Sequence, residues 1–198
     1  MGNEVVCFDN LVTGYRKNIE HLEKNNNFVF IEEDIRDRDK VREHLNGCTH
    51  VCHQAALGSV PRSIEDPLTT NDINIGGSLN LLSEAENLDI GRFVFASSSS
   101  VYGDDMNMPK VERSTGKVLS PYAVTKSAFE DYARVFHEIH GMGTIGLRYF
   151  NVFGDRSPTI GQYAPVIGIF ERQKEEGKPL TLVGTGEQRR DFVQDRKS

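Results

Sequence analysis

The stretch RFVFASSSSVYG, residues 92–103, decides how the rest of this chain is read. Phe93-Val94-Phe95-Ala96 is a continuous apolar run of strand length, and four serines follow it. Unbroken rather than alternating hydrophobicity marks a strand covered on both faces, as in a parallel sheet. The serines therefore emerge at the carboxyl end of the sheet, where open α/β folds collect their ligands. Outward from this stretch, strand-sized apolar segments recur at 4–9, 27–31, 48–52 and 144–147, and helical segments lie between them at 16–23, 38–45, 69–86 and 121–140. The alternation predicts an α/β fold with a doubly wound parallel sheet. Residues 180–183 read as a further strand after a helix ending near Glu176, Gly184-Thr185-Gly186 as a turn, and the final DFVQDRKS as lacking a closing element.

The helix SPYAVTKSAFEDYARVFHEIH, residues 120–140, carries the chemistry. Proline is favoured in a first turn because the donor it lacks would be unpaired there anyway, so Pro121 marks the start. Tyr122 and Lys126 then stand one turn apart on one face, where an ammonium can favour a phenolate over a phenol. Such a pair alone is common on solvated helix faces. The hydroxyl run Ser97-Ser98-Ser99-Ser100 at a sheet end gives it a partner and points to proton transfer.

Composition narrows the partners. Lys and Arg number 23 against 29 Asp and Glu, a formal charge of -6, and no basic run is interleaved with aromatics, which argues against a nucleic-acid footprint. No signal peptide or membrane-length apolar run is present, so the expectation is no membrane association and a cytoplasmic location. Cys7, Cys48 and Cys52 lie in apolar stretches and read as reduced core thiols. His50 and His53 have a metal-like spacing but no convincing third ligand, so no metal site is expected.

The ordered set FVFASSSSVYG, SPYAVTK and GLRYFNVFG resembles the extended short-chain dehydrogenase/reductase family, specifically its NAD-dependent nucleotide-sugar epimerases and dehydratases. The resemblance covers essentially the whole chain. It implies a Rossmann-like doubly wound parallel sheet over residues 1–155, followed at 156–198 by part of a smaller C-terminal substrate-binding region. The family's first strand and Gly-x-x-Gly-x-x-Gly turn would precede Gly2 and the remainder of its sugar-binding region would follow Ser198, so the expectation is a truncated, impaired enzyme.

By the same resemblance, Tyr122 is the base that takes the proton from a sugar C4 hydroxyl. Lys126 lowers the tyrosine pKa and binds the nicotinamide ribose, and Ser98 holds the reacting hydroxyl. The implied reaction is NAD-dependent C4 epimerisation of a UDP-sugar through a 4-keto intermediate. Cofactor contacts fall to Asp9, Asn10, Thr13 and Gly14 around the adenosine ribose, Asp34 and Ile35 beside adenine, Ala55 and Ala56 near the pyrophosphate, and Asn74, with Tyr149 and Phe150 as a shelf for the nicotinamide. An acid at position 9 favours NAD, because a 2'-phosphate would meet like charge. Ser99 and Ser100 line the sugar pocket beside Ser98, Asn151 donates to the diphosphate, Arg190 suits two phosphate oxygens with its forked guanidinium, and 162–166 forms a helix entrance over the uracil and sugar.

Ser99 and Ser100 stand where 4,6-dehydratases typically carry an acid pair, and Val101 where decarboxylases often have glutamate. LRYFNVFG and TTNDINIGG look closest to UDP-N-acetylglucosamine 4-epimerases. UDP-glucuronate 4-epimerases and decarboxylases are the alternatives. A noncatalytic reading also stands, in which helices 69–86 and 121–140 serve as a partner surface; the resemblance implies a homodimer for the complete protein.

Overall fold

The computed structural model describes residues 2–159, 164–182 and 184–195, and the chain divides into two compact units, Met1–Arg148 and Tyr149–Ser198. In the first unit β1 (Val5–Phe8) pairs in parallel with β2 (Phe28–Ile31), Val5 opposite Phe28. A second sheet has the order β3 (His50–His53), β4 (Arg92–Ser98), β5 (Gly143–Tyr149); β3 and β4 are parallel with His50 opposite Arg92. Helices α1 (Arg38–Leu45), α2 (Val60–Glu65), α3 (Pro67–Asn71), α4 (Ser78–Asn87) and α5 (Pro121–His140) connect and cover these strands. The expected parallel α/β architecture is what forms.

The core lies where β3 and β4 meet α4 and α5. Phe93, Phe95 and Ser97 point to the same buried face of β4, since side chains alternate along a strand. Phe95 meets Phe129 of α5 edge-on at 4.9 Å, and Phe93 and Leu82 are wholly buried. Burying such side chains stabilises by roughly 1.5–3 kcal/mol each. The alternation also corrects one sequence expectation. Val51 and His53 of β3 turn inward, so Cys52 between them is exposed rather than a core thiol, while Cys7 and Cys48 are half-buried.

Local sequence sets the helix ends. Ser120 caps α5 by accepting from the Ala123 amide at 3.1 Å, and Gly141, at φ 72°, ends it in the left-handed conformation glycine tolerates best. The segment expected as one helix at 69–86 is α3, then a π-helical turn at Asp72–Gly77, then α4. Gly77 packs there against Ile35 so closely that a Cβ would come within 2.5 Å of it. The helix expected at 16–23 is reduced to a 3-10 turn, Arg16–Asn18, which buries no residue. With so little apolar surface, packing cannot repay a longer helix.

The second unit contains β6 (Asn151–Phe153), α6 (Val166–Glu175) and β7 (Phe192–Gln194), with β6 and β7 parallel. DFVQ thus supplies a pairing strand where the sequence suggested no closing element. Residues 180–182 form no strand: the Thr181 amide donates to Gln173 Oε1 at 3.1 Å, which removes it from a ladder. Residue 183, and residues 162–163 of the expected helix entrance, lie outside the described residues.

Candidate active site

Tyr122 enters in the first turn of α5, directly after the Ser120 cap and Pro121, and its phenol faces the Ser98 hydroxyl at the end of β4, near enough for that hydroxyl to lower its pKa. Ser98 Oγ accepts from the Ser100 amide at 3.1 Å and from the Ser100 hydroxyl at 2.9 Å. With its lone pairs engaged by Ser100, the Ser98 proton is left to donate to a reacting oxygen, that of the phenol or of a hydroxyl bound beside it. Burial pushes the Tyr122 hydroxyl above its ordinary value, and the Ser98 bond opposes that shift. Donation to the oxygen favours the phenolate.

Lys126 is 8% exposed, and its ammonium donates to the Ala96 carbonyl at 2.8 Å. It lies 5.9 Å from the Tyr122 ring centroid, on the same side of the helix as the spacing required. Burial pulls the ammonium down to about 8. The phenol remains raised beside this cation, so burial sets the ground state of the tyrosine and the Ser98 hydroxyl only offsets part of it. Two ammonium protons beyond the Ala96 bond remain for other acceptors.

An open cleft collects Asp9, Asn10, Thr13, Ile35, Ala55 and Ala56, along with Phe8, Val12, Glu33, Leu57 and Ile73. Six of the residues expected to contact a cofactor thus line one wall-to-wall space at the carboxyl ends of β1, β2 and β3. Asp9 Oδ1 accepts from the Leu11 amide at 2.7 Å, and a Cβ at Gly14 would lie 3.4 Å from the same oxygen, so Gly14 leaves room for the acid. Asp34 is tied to its neighbours. Its carboxylate accepts from Arg36 at 2.7 Å and from Asn10 Nδ2 at 2.9 Å, and the Arg36 bonds hold it at about 2.

Asn74 is buried, and both ends of its amide are committed. Oδ1 accepts from the Leu57 amide at 2.8 Å, while Nδ2 donates to the Leu57 carbonyl at 3.2 Å and to Thr125 Oγ1 at 3.1 Å. Thr125 Oγ1 donates in turn to the Tyr122 carbonyl at 2.8 Å. The side chain ties the loop after β3 to the turn of α5 that carries the tyrosine. Leu57 and Thr125 escaped the sequence reading, since a tie between elements has no signature in spacing. Ser100 is likewise engaged with Ser98, and Ser99 opens the 3-10 turn that ends at Tyr102.

In the second unit Asn151 donates through Nδ2 to the Asp191 carbonyl at 2.9 Å at the start of the β6 and β7 pair, one residue beyond Arg190. Arg190 is exposed, its Nη1 donating to the Arg189 carbonyl at 2.8 Å. Tyr149, 38% exposed, ends β5. His53 is a buried core imidazole and His50 is exposed; no group of three metal-binding side chains occurs among the described residues.

A parallel α/β sheet with a tyrosine and lysine one turn apart, a serine on the tyrosine oxygen, and an acid-bearing cleft at the strand ends defines a nucleotide-dependent dehydrogenase-like class. Residues 1–194 match the NAD dependent epimerase/dehydratase family, and the chain belongs to it. It is 37% identical over 193 residues to a putative UDP-glucose 4-epimerase of Methanocaldococcus jannaschii, covering 96% of this chain and 61% of that protein. Among solved structures it is similar to a UDP-N-acetylglucosamine 4-epimerase from Methanobrevibacter ruminantium in complex with UDP-N-acetylmuramic acid, at 40% identity and TM-score 0.93, covering 97% and 61% of the two chains. It is also similar to a UDP-glucose 4-epimerase with UDP-glucose from Thermotoga maritima, at 31% identity and TM-score 0.90, covering 98% and 62%. The chain thus spans about three-fifths of the length of these relatives.

Proposed function

We propose that the protein is an NAD-dependent C4 epimerase of UDP-sugars, with UDP-N-acetylglucosamine and UDP-N-acetylgalactosamine as the interconverted pair. The observation that carries the reading is the Tyr122 hydroxyl supported by Ser98 and flanked by buried Lys126. The cleft fits the cofactor: Asp9 offers a carboxylate to ribose hydroxyls, while Ala55 and Ala56 leave backbone accessible. NAD, when bound, supplies the hydride acceptor and donor. Tyr122 takes the proton from the C4 hydroxyl and returns it, Ser98 holds the reacting oxygen, and Lys126 directs its remaining protons toward the nicotinamide ribose. Residues 1–155 hold the cofactor, with Tyr149 among its contacts and Asn74 serving it indirectly by holding the Leu57 loop, and 156–198 begin the substrate-binding region. Ser99, Ser100, Asn151 and Arg190 serve the UDP-sugar.

The 40% identity to a UDP-N-acetylglucosamine 4-epimerase supports the acetamido sugar over glucuronate, for which a Bacillus cereus UDP-glucuronic acid 4-epimerase is 33% identical. Val124, Tyr132 and Ile139 are exposed at helical spacing along α5, which supports a homodimer through that helix. No helix among the described residues is long and apolar enough to cross a membrane. Calorimetry with NAD, followed by chromatography of UDP-N-acetylglucosamine incubated with protein and NAD, tests the reading. NAD binding that weakens in Asp9→Ala, together with appearance of the C4 epimer that Tyr122→Phe abolishes, is expected of the whole protein. Epimerisation of UDP-glucuronate alone would refute the acetamido assignment, and absence of NAD binding and turnover in the whole protein would refute the enzyme.

A further inference from the structure

Behind the tyrosine lies an ion pair that the proposed reaction does not use. Glu130, one turn beyond Lys126 on α5, receives Arg148 of β5 in a two-pronged grip, Nε to Oε1 at 2.9 Å and Nη2 to Oε2 at 2.7 Å. The same Oε1 accepts from the hydroxyl of Ser97, the buried residue immediately before Ser98. Arg148 Nη1 donates to the Glu112 carbonyl at 2.8 Å, and its guanidinium lies 4.9 Å from the ring centroid of Tyr102. Both side chains are largely withdrawn from water, at 22% and 16% exposure.

The placement of these contacts is what gives them a consequence. Successive turns of α5 grip successive residues of the strand end, Lys126 at the Ala96 carbonyl and Glu130 at the Ser97 hydroxyl. The strand then turns directly into the segment Ser99–Tyr102, whose last residue stacks under Arg148. The Glu112 carbonyl anchors the loop that runs from that segment back to α5. The chain before and after Ser98 is therefore held from one centre. A serine oxygen must lie within hydrogen-bond reach of the phenol, and a shift of a few tenths of an ångström weakens the bond.

We propose that Glu130 and Arg148 are positioning residues that fix the Ser98 hydroxyl against Tyr122, acting through Ser97 and Tyr102 and touching neither cofactor nor substrate. The proposal rests on the reading of Tyr122 as the base, but its test needs neither NAD nor turnover. A merely stabilising ion pair would lower the melting temperature on removal and leave the tyrosine titration alone. Direct electrostatics has its own sign: losing the Glu130 charge would make a nearby phenolate easier to form. Loss of the serine hydrogen bond does the opposite and raises the titration midpoint.

The experiment is a fluorine NMR titration of the chain labelled with 3-fluorotyrosine, which is more acidic than tyrosine and titrates where the fold persists. Tyr122→Phe assigns its resonance among the six tyrosines. Ser98→Ala should raise the Tyr122 midpoint by about one unit, the worth of a hydrogen bond to a charged oxygen. Ser97→Ala and Glu130→Gln should each raise it by at least about half of that, and Glu130→Gln should raise it no further in the Ser98→Ala background, where only the direct charge effect remains. A lowered midpoint in Glu130→Gln, an unchanged midpoint in both variants, or an equal shift with and without Ser98 would overturn the proposal. Ser97→Ala removes only a hydroxyl, so it keeps the test open if Glu130→Gln does not fold. Failure to bind NAD or turn over sugar would sink the epimerase reading and leave this titration unaffected.

Discussion

His53→Gln should make the fold less sensitive to acid. His53 ends β3 at 6% exposure, its Nε2 lies 2.8 Å from Ser78 Oγ, and its Nδ1 is buried with no hydrogen-bond partner among the described residues. Phe93 and Phe129 meet the ring edge-on at 6.0 and 5.8 Å. Burial, assisted by the Lys126 charge, lowers the imidazole from its ordinary 6.5 to about 3. The folded value lies below the unfolded one, so the unfolded chain binds more protons between about pH 6.5 and 3, and stability is lost as pH falls through that window. At pH 4.5, two units below the unfolded value, the loss through this one side chain is roughly 2.7 kcal/mol. Glutamine keeps a polar end for Ser78 and cannot take up the proton. Urea unfolding of both proteins at pH 7.5 and 4.5 measures the effect: the wild type should lose roughly 2.7 kcal/mol more than the variant over this interval. Equal losses would refute the reasoning, because acid lability would then lie in the carboxylates that both proteins share.

Lys126 predicts the alkaline counterpart. Its value near 8 lies below the ordinary 10.5, so the wild type should gain about 2.5 kcal/mol relative to Lys126→Met between pH 7 and pH 10, read by the same denaturation. Glu84 is wholly buried and receives Arg38 at 2.6 Å and Arg42 at 2.7 Å, both more than half exposed. Removing both arginines strands a buried carboxylate and should cost about 3–5 kcal/mol, whereas Glu84→Gln leaves two arginines that water can solvate and should cost less. A larger loss in Glu84→Gln would reverse that assignment. Asn74→Ala leaves the buried Leu57 amide and carbonyl unpaired and should cost about 2–4 kcal/mol, with faster hydrogen exchange at the Leu57 amide. An unchanged exchange rate there would show that Asn74 does not hold the loop.

Phe93-Val94-Phe95-Ala96 and the helix 121–140 were legible because the information is local: an apolar run of strand length, a serine cap, a proline, and a glycine stop. The adenosine-side residues came from family resemblance alone; Asp9, Ile35, Ala55 and Ala56 share one cleft because strand ends in a parallel sheet converge. The helix expected at 16–23 is only the 3-10 turn Arg16–Asn18 because no packing supports it, and β7 was missed because three residues carry too little pattern to announce a strand.

The sequence alone therefore determined the parallel α/β class, the strand that presents the serines and the helix that presents Tyr122 and Lys126, since each follows from periodicity and end signals within a few residues. Tertiary structure decided the serine assignments: Ser98 meets the phenol, Ser100 supports Ser98, and Ser97 turns inward to Glu130 and Arg148. Four identical side chains in a row differ only in direction. Strand alternation and the 3-10 turn set that direction, and the carboxylate and guanidinium that answer it come from residues 33 and 51 positions beyond Ser97.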